Sequence, residues 1–148
     1  MTRRKFQFRL EPIRGLRRDA EQSVMKELAG ELTVAEELRS QLAGTEARLR
    51  AAQAPPQGAL TAHELAARQH FVERLERERT EVHMRLRRQE AHVDQARLRL
   101  TDATRKRRML DHVEGRRRAV HDAEALRVEN DERQELALLS HIRSQGAA

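Results

Sequence analysis

Seven histidines, His63, His70, His83, His92, His112, His121 and His141, are the side chains of this sequence best suited to hold a metal or move a proton. Either task needs them grouped. Two ligands on one helix face require an i, i+4 spacing, as in His-Glu-x-x-His, and no two of these histidines have it. No Asp or Glu stands three residues before any of them, so the Glu-x-x-His pattern of helical-bundle metal sites is missing. There is no cysteine for a thiolate site or a disulfide. The six glycines form neither a G-x-G-x-x-G nor a P-loop. Ser23, Ser40, Ser140 and Ser144 lie in no nucleophile motif. The expectation is a non-enzyme with no catalytic residue, no metal and no cofactor, whose histidines are solvated helix-surface residues.

The remaining candidates are basic and aromatic. The runs RKRR (residues 105–108) and GRRR (residues 115–118) could meet an anionic partner. Four consecutive helical residues point all round the axis, and no aromatics are interleaved for base stacking, so a solvated charged helix or an acidic protein surface suits them better than nucleic acid. Charge is blocked along the chain. Residues 1–18 hold seven basic groups and one Glu, residues 97–118 hold nine basic and three acidic, and residues 119–148 hold three basic and six acidic. Only three aromatics occur, and two of them, Phe6 and Phe8, stand in the basic opening MTRRKFQFRL. The third, Phe71, pairs with Leu75 at i, i+4. It is hard to bury in a narrow helical pair, which makes it a candidate docking residue.

What must position these residues is helical. The chain has 148 residues, 36% charged and 2% aromatic, too few large side chains for a wide core. Ala, Leu, Glu, Arg and Gln predominate, as in long helices and coiled coils. The stretch APPQG (residues 54–58) is the one break, since two prolines and a glycine cannot continue a helix. Thr61 and Glu64 then form a capping box, with Leu60 and Leu65 placed as a hydrophobic staple. Before the break, Leu28, Leu32, Ala35, Leu38, Leu42, Thr45, Leu49 and Ala52 trace a seam. After it, one seam position holds Leu65, Val72, Arg79, Leu86, Val93, Leu100 and Arg107. The other holds Leu75, Val82, Gln89, Ala96, Ala103 and Leu110, with a one-residue shift toward Val113 and Val120.

The fold expected is all-α: a single-domain, two-helix antiparallel coiled-coil hairpin with a longer second helix. Helix one spans about residues 10–53, the loop 54–61 and helix two about 62–143. A symmetric turn near residue 57 sets Leu49 near Leu65, Leu42 near Val72 and Leu28 near Leu86. Residues 10–18 then lie beside 96–104, which joins the two basic blocks at an open end. Phe6 and Phe8 either pack there on helix two, near Leu110 and Val113, or enter a partner's pore. No apolar run approaches the ~18 residues of a membrane span, and no apolar stretch follows the basic N-terminus as in a secretory signal. A soluble, cytoplasmic protein is expected.

The segments KFQFRLEPIRGLRR, EQSVMKEL, HELAARQHFVERL, RKRRMLDHVEGRR and ENDERQELALLSH, in this order, resemble the FliJ family of flagellar type III export proteins. The similarity runs from about residue 5 to residue 142, and the opening is its most telling part. The stalk family of virulence type III secretion systems, which usually lacks the Phe-x-Phe opening, is the runner-up. A basic coiled-coil scaffold or nucleic-acid-binding protein is the alternative from another class. The resemblance implies a stalk similar to the rotor stalk of rotary ATPases, in the cytoplasm and peripherally associated with the inner membrane at the flagellar basal body. Its implied partners are the hexameric export ATPase FliI, the export gate protein FlhA and export chaperones, with no nucleic acid. By position, Leu38, Leu42, Leu49, Phe71, Leu75 and Val82 fall where the family's gate-binding surface lies, while Thr45 and Glu78 in that strip are polar here. The ATPase-facing open end would comprise Arg3, Arg4, Lys5, Phe6, Phe8, Arg9, Arg105, Lys106, Arg107 and Arg108.

Overall fold

The computed structural model describes residues 5–145, and Arg3 and Arg4 lie outside them. The fold is all-α. Helix α1 spans Glu11–Gln53 and helix α2 spans Ala62–Gln145, 43 and 84 residues. They run antiparallel, with the second nearly twice the length of the first, as the capping and breaking residues foretell. The chain divides into two compact units. The hairpin unit is Ala20–Ala103. The terminal unit combines the N-terminal residues up to Asp19 with the chain from Thr104 onward.

In the hairpin unit, α1 turns inward Leu28, Glu31, Ala35, Leu38, Leu42, Thr45, Leu49 and Ala52. These steps alternate strictly between three and four, the mark of a two-stranded seam. Glu31 holds the place expected for Leu32, which is exposed, because only position 31 keeps the alternation. On α2 the buried residues are Leu75, Val82, Leu86, Val93 and Ala96. Leu75 is the deepest large side chain, 1% exposed. Arg79, expected in the seam, points to solvent, and Glu78 turns partly inward instead. A two-helix pair buries about one residue per turn of each helix, so each core position carries much of the stability.

Cross-helix contacts fix the register. Arg39 reaches Glu90 at 3.2 Å, the Thr45 hydroxyl donates to Glu78 at 3.2 Å, and Gln89 Nε2 donates to the Glu31 carbonyl at 3.0 Å. These pairs lie roughly ten residues further along α2 than a symmetric turn would give. Leu49 is therefore level with Leu75 rather than Leu65, and Leu65 is 59% exposed. The reason lies in the linker. Residues 54–61 contain Pro55 and Pro56, which hold the chain extended and rising instead of folding back at once. The first nine residues of α2 thus project about 13 Å beyond the end of α1. Arg68 locks this offset: its Nε donates to the Ala52 carbonyl at 2.9 Å and its Nη2 to the Ala54 carbonyl. These oxygens sit at the negative end of α1, where a cation is favoured.

The capping box forms as expected. The Glu64 carboxylate accepts from the Thr61 backbone N–H at 2.8 Å, and the Thr61 hydroxyl accepts from the Glu64 N–H at 3.3 Å. The bond from the Thr61 backbone, then that from its hydroxyl, holds the Glu64 carboxyl below its ordinary value. Its contribution is present above the ordinary carboxylate range and lost as pH falls through the lowered folded value. Acidification should therefore raise hydrogen exchange in the first turn of α2 before the hairpin melts, and Glu64→Gln should abolish that early step. Leu75→Ala should cost about 2–5 kcal/mol in the stability of the hairpin, read as a lower melting temperature by circular dichroism. An unchanged midpoint would mean that Leu75 does not carry the core.

Candidate functional site

Two surfaces stand out, one in each unit. The terminal unit is organised around Arg14, whose side chain is only 14% exposed. Its guanidinium pairs with Glu114 on α2, lies 4.0 Å from Asp111 and 3.1 Å from Glu11, and stacks 5.9 Å from the Phe8 ring centroid. A cation held by three carboxylates and an aromatic face is a strong anchor, because the guanidinium and Glu114 are largely withdrawn from water. Its Nε, by contrast, is buried without a hydrogen-bond partner.

The arm before α1 packs on α2 through Phe6. Its ring meets His121 edge-on, with centroids 5.5 Å apart and planes at 61°. The Arg118 guanidinium lies 5.4 Å from the same ring. Packing on helix two is thus what Phe6 does, against Arg118 and His121. The expected shift of the seam toward Val120 does not occur. Glu114 and His121 continue the strict seven-residue spacing from Arg107, and Val120 is exposed. The polar character of these positions hides the seam from a search for apolar residues.

The basic runs split between two roles. Arg107 pairs with Asp111 at 2.5 Å, and Arg118 pairs with Glu114 at 3.3 Å while covering Phe6. Arg105, Arg108, Arg116 and Arg117 point to solvent, as do Lys5, Lys106 and Arg9. The unit thus presents a dense outward positive charge, while Arg107 and Arg118 are spent on holding it together.

The second surface is near the tip of the hairpin unit. Of the six residues expected there, Leu38, Leu49, Leu75 and Val82 are buried in the seam and Leu42 is half-buried. Phe71 alone is well exposed, at 39%, with the Arg74 guanidinium 5.2 Å from its ring centroid. Thr45 and Glu78 prove to be linked: the Thr45 hydroxyl and Arg48 both donate to the Glu78 carboxylate. Thr45 is 2% exposed, so its hydroxyl needs that partner. Among the described residues no group of three or more His, Asp or Glu could hold a metal ion, and no helix is long and apolar enough to cross a membrane.

The role of Arg14 is the part that sequence reasoning missed. A basic residue four positions into a helix, in a chain rich in arginine, carries no local signal of burial. Arg14→Ala should lower the stability of the terminal unit by about 1.5–3 kcal/mol, the range for hydrogen bonds to charged groups. Arg39→Ala removes a solvent-exposed pair and should leave the stability nearly unchanged. Hydrogen exchange resolved along α2 checks both, with loss of protection around residues 110–121 expected only for the first.

The family profile described as "Flagellar FliJ protein" matches residues 6–146. Neither a curated protein nor a solved structure matches the chain. The matched span includes the Phe6 arm, both helices and both surfaces described above. The chain belongs to the FliJ family and is a flagellar protein associated with protein export.

Proposed function

We propose that this protein is a stalk of the flagellar type III export apparatus, binding the hexameric export ATPase FliI with its terminal unit and the export gate protein FlhA with the tip of its hairpin unit. Family membership over nearly the whole chain is the observation that carries this reading. The two surfaces suit it. A ring of ATPase subunits with acidic loops would be met by Lys5, Arg9, Arg105, Lys106 and Arg108, all outward-facing. Arg3 and Arg4 belong to the same basic stretch of sequence. Phe6, Phe8 and Arg107 support that surface from within, since each is half-buried.

At the tip, Phe71 is the natural anchor for the gate, an exposed aromatic with Leu42 at the edge of the seam. Leu38, Leu49, Leu75 and Val82 act beneath it by keeping the helices in register. Export chaperones are the third class of partner. The protein would work in the cytoplasm and reach the inner membrane only through the apparatus it joins. It transmits by contact and performs no chemistry of its own.

The test is co-purification with the co-expressed export ATPase, read together with the hydrolysis rate. Binding with stimulated hydrolysis is expected. Arg105→Glu with Arg108→Glu should weaken ATPase binding at least about tenfold and leave gate binding intact. Phe71→Ala should do the reverse. A folded, helical protein that neither binds nor stimulates the ATPase would overturn the stalk reading. A steep salt-dependent affinity for generic DNA would favour a nucleic-acid scaffold in its place.

A further inference from the structure

Within the terminal unit, α2 carries a second stripe that α1 does not cover. Met109, Val113, Arg116, Val120, Ala123 and Arg127 recur at alternating steps of four and three. All but Val113 are exposed, and Val120 is 58% exposed. Such spacing defines the contact face of a helix that pairs with another helix. The face is not the one used by α1 and the arm before it, whose line on α2 runs through Arg107, Leu110, Glu114 and His121, all half-buried.

Charge identifies the occupant. Around Val120, α2 changes sign. Residues 104–118 are strongly basic, and residues 122–135 carry six acidic groups and two basic ones. The exposed Arg117 and Glu124 flank the stripe on the same side, seven residues apart, and neither holds an ion pair among the described residues. A basic segment followed directly by an acidic one on the same helix is complementary to itself only when reversed. In a parallel pair like charges would face each other along the whole length. In an antiparallel pair centred on Val120, each basic segment runs along the acidic segment of the other copy.

We propose that two copies of this chain associate through this stripe as an antiparallel, two-fold symmetric pair of α2 helices. Val120 lies at the axis. Arg117 of each copy faces Glu124 of the other, so the contact occurs twice. The stripe contains two arginines and few large apolar residues, so the association is held by charge as much as by burial and weakens with salt. It leaves both the α1 seam and Phe71 uncovered, but it occupies the basic segment that holds Arg105, Lys106 and Arg108, so the pair forms only while the proposed ATPase-binding surface is free.

The chain has no cysteine, which makes the test direct. A disulfide needs Cα atoms within about 7 Å, a condition met by identical positions only at a two-fold axis. Val120→Cys should therefore oxidise to a disulfide-linked dimer at least about tenfold faster than Gln134→Cys, whose two copies would stand roughly 40 Å apart. Adding Arg117→Glu to Val120→Cys should slow cross-linking, because two acidic groups then meet. Adding Glu124→Arg as well should restore it. Equal rates for the two cysteine variants would overturn the proposal. So would a charge reversal that the second substitution does not rescue, which would point to an acidic partner other than this chain. Circular dichroism on each variant confirms that the helices persist, and none of these positions carries the α1 seam.

Discussion

The hairpin unit depends on a seam only one side chain wide. Nine residues are buried among those described, and the only large one that is fully enclosed is Leu75. A globular core can spread an error over many contacts, but a two-helix seam cannot, because each layer has few neighbours. The consequence is that apolar burial alone is a poor guide to register here. Sliding one helix by seven residues would put leucines and valines back among leucines and valines at only modest cost. Something less forgiving must choose between such registers.

Polar residues in the seam make that choice. Glu31 accepts from Gln89, and Glu78 gathers the Thr45 hydroxyl and Arg48. Each of these groups loses its partner if the helices slide, and a buried or half-buried polar group without a partner is costly. Arg68 adds a third restraint by binding carbonyls at the end of α1, which no other register brings within its reach. Leucine supplies the bulk of the attraction, and these three polar contacts supply its uniqueness. The arrangement trades some stability for one alignment, as polar core positions do in other coiled coils.

How much of this is legible in sequence follows from the same physics. Helix boundaries are, because proline, glycine and a capping box act locally: APPQG ends α1 and Thr61 with Glu64 starts α2. The apolar seam is too, since Leu38, Leu42, Leu49, Leu75, Val82 and Leu86 repeat at the right period. The register is not, because a turn assumed to be symmetric has to yield to an extended Pro-Pro linker and to Arg68. The polar seam positions also escape. Glu31, Glu78, Glu114 and His121 read as surface residues by type, and Leu32, Arg79 and Val120 are drawn into their places by hydrophobicity, by strict heptad counting from Val72 and by an assumed shift, respectively. For the candidate sites, composition draws attention to the aromatic arm and to Phe71, but not to the carboxylates around Arg14 or to His121 as the partner of Phe6.

The arginines of the terminal unit show why residue type alone cannot assign a role. Arg14, Arg107 and Arg118 have carboxylates or an aromatic ring within reach and act as fasteners. Among the described residues Arg105, Arg108 and Arg116 hold no ion pair or ring contact, and they remain on the surface. What separates the two groups is helical phase. Asp111 and Glu114 lie on the α1-facing side of α2, so an arginine one turn away on that side is neutralised and one on the opposite side is not. These two acidic residues placed elsewhere on the same helix would leave the net charge unchanged and the surface very different. The positive face is thus set by where the carboxylates stand, and the folding of the arm onto α2 is inseparable from the surface the unit presents.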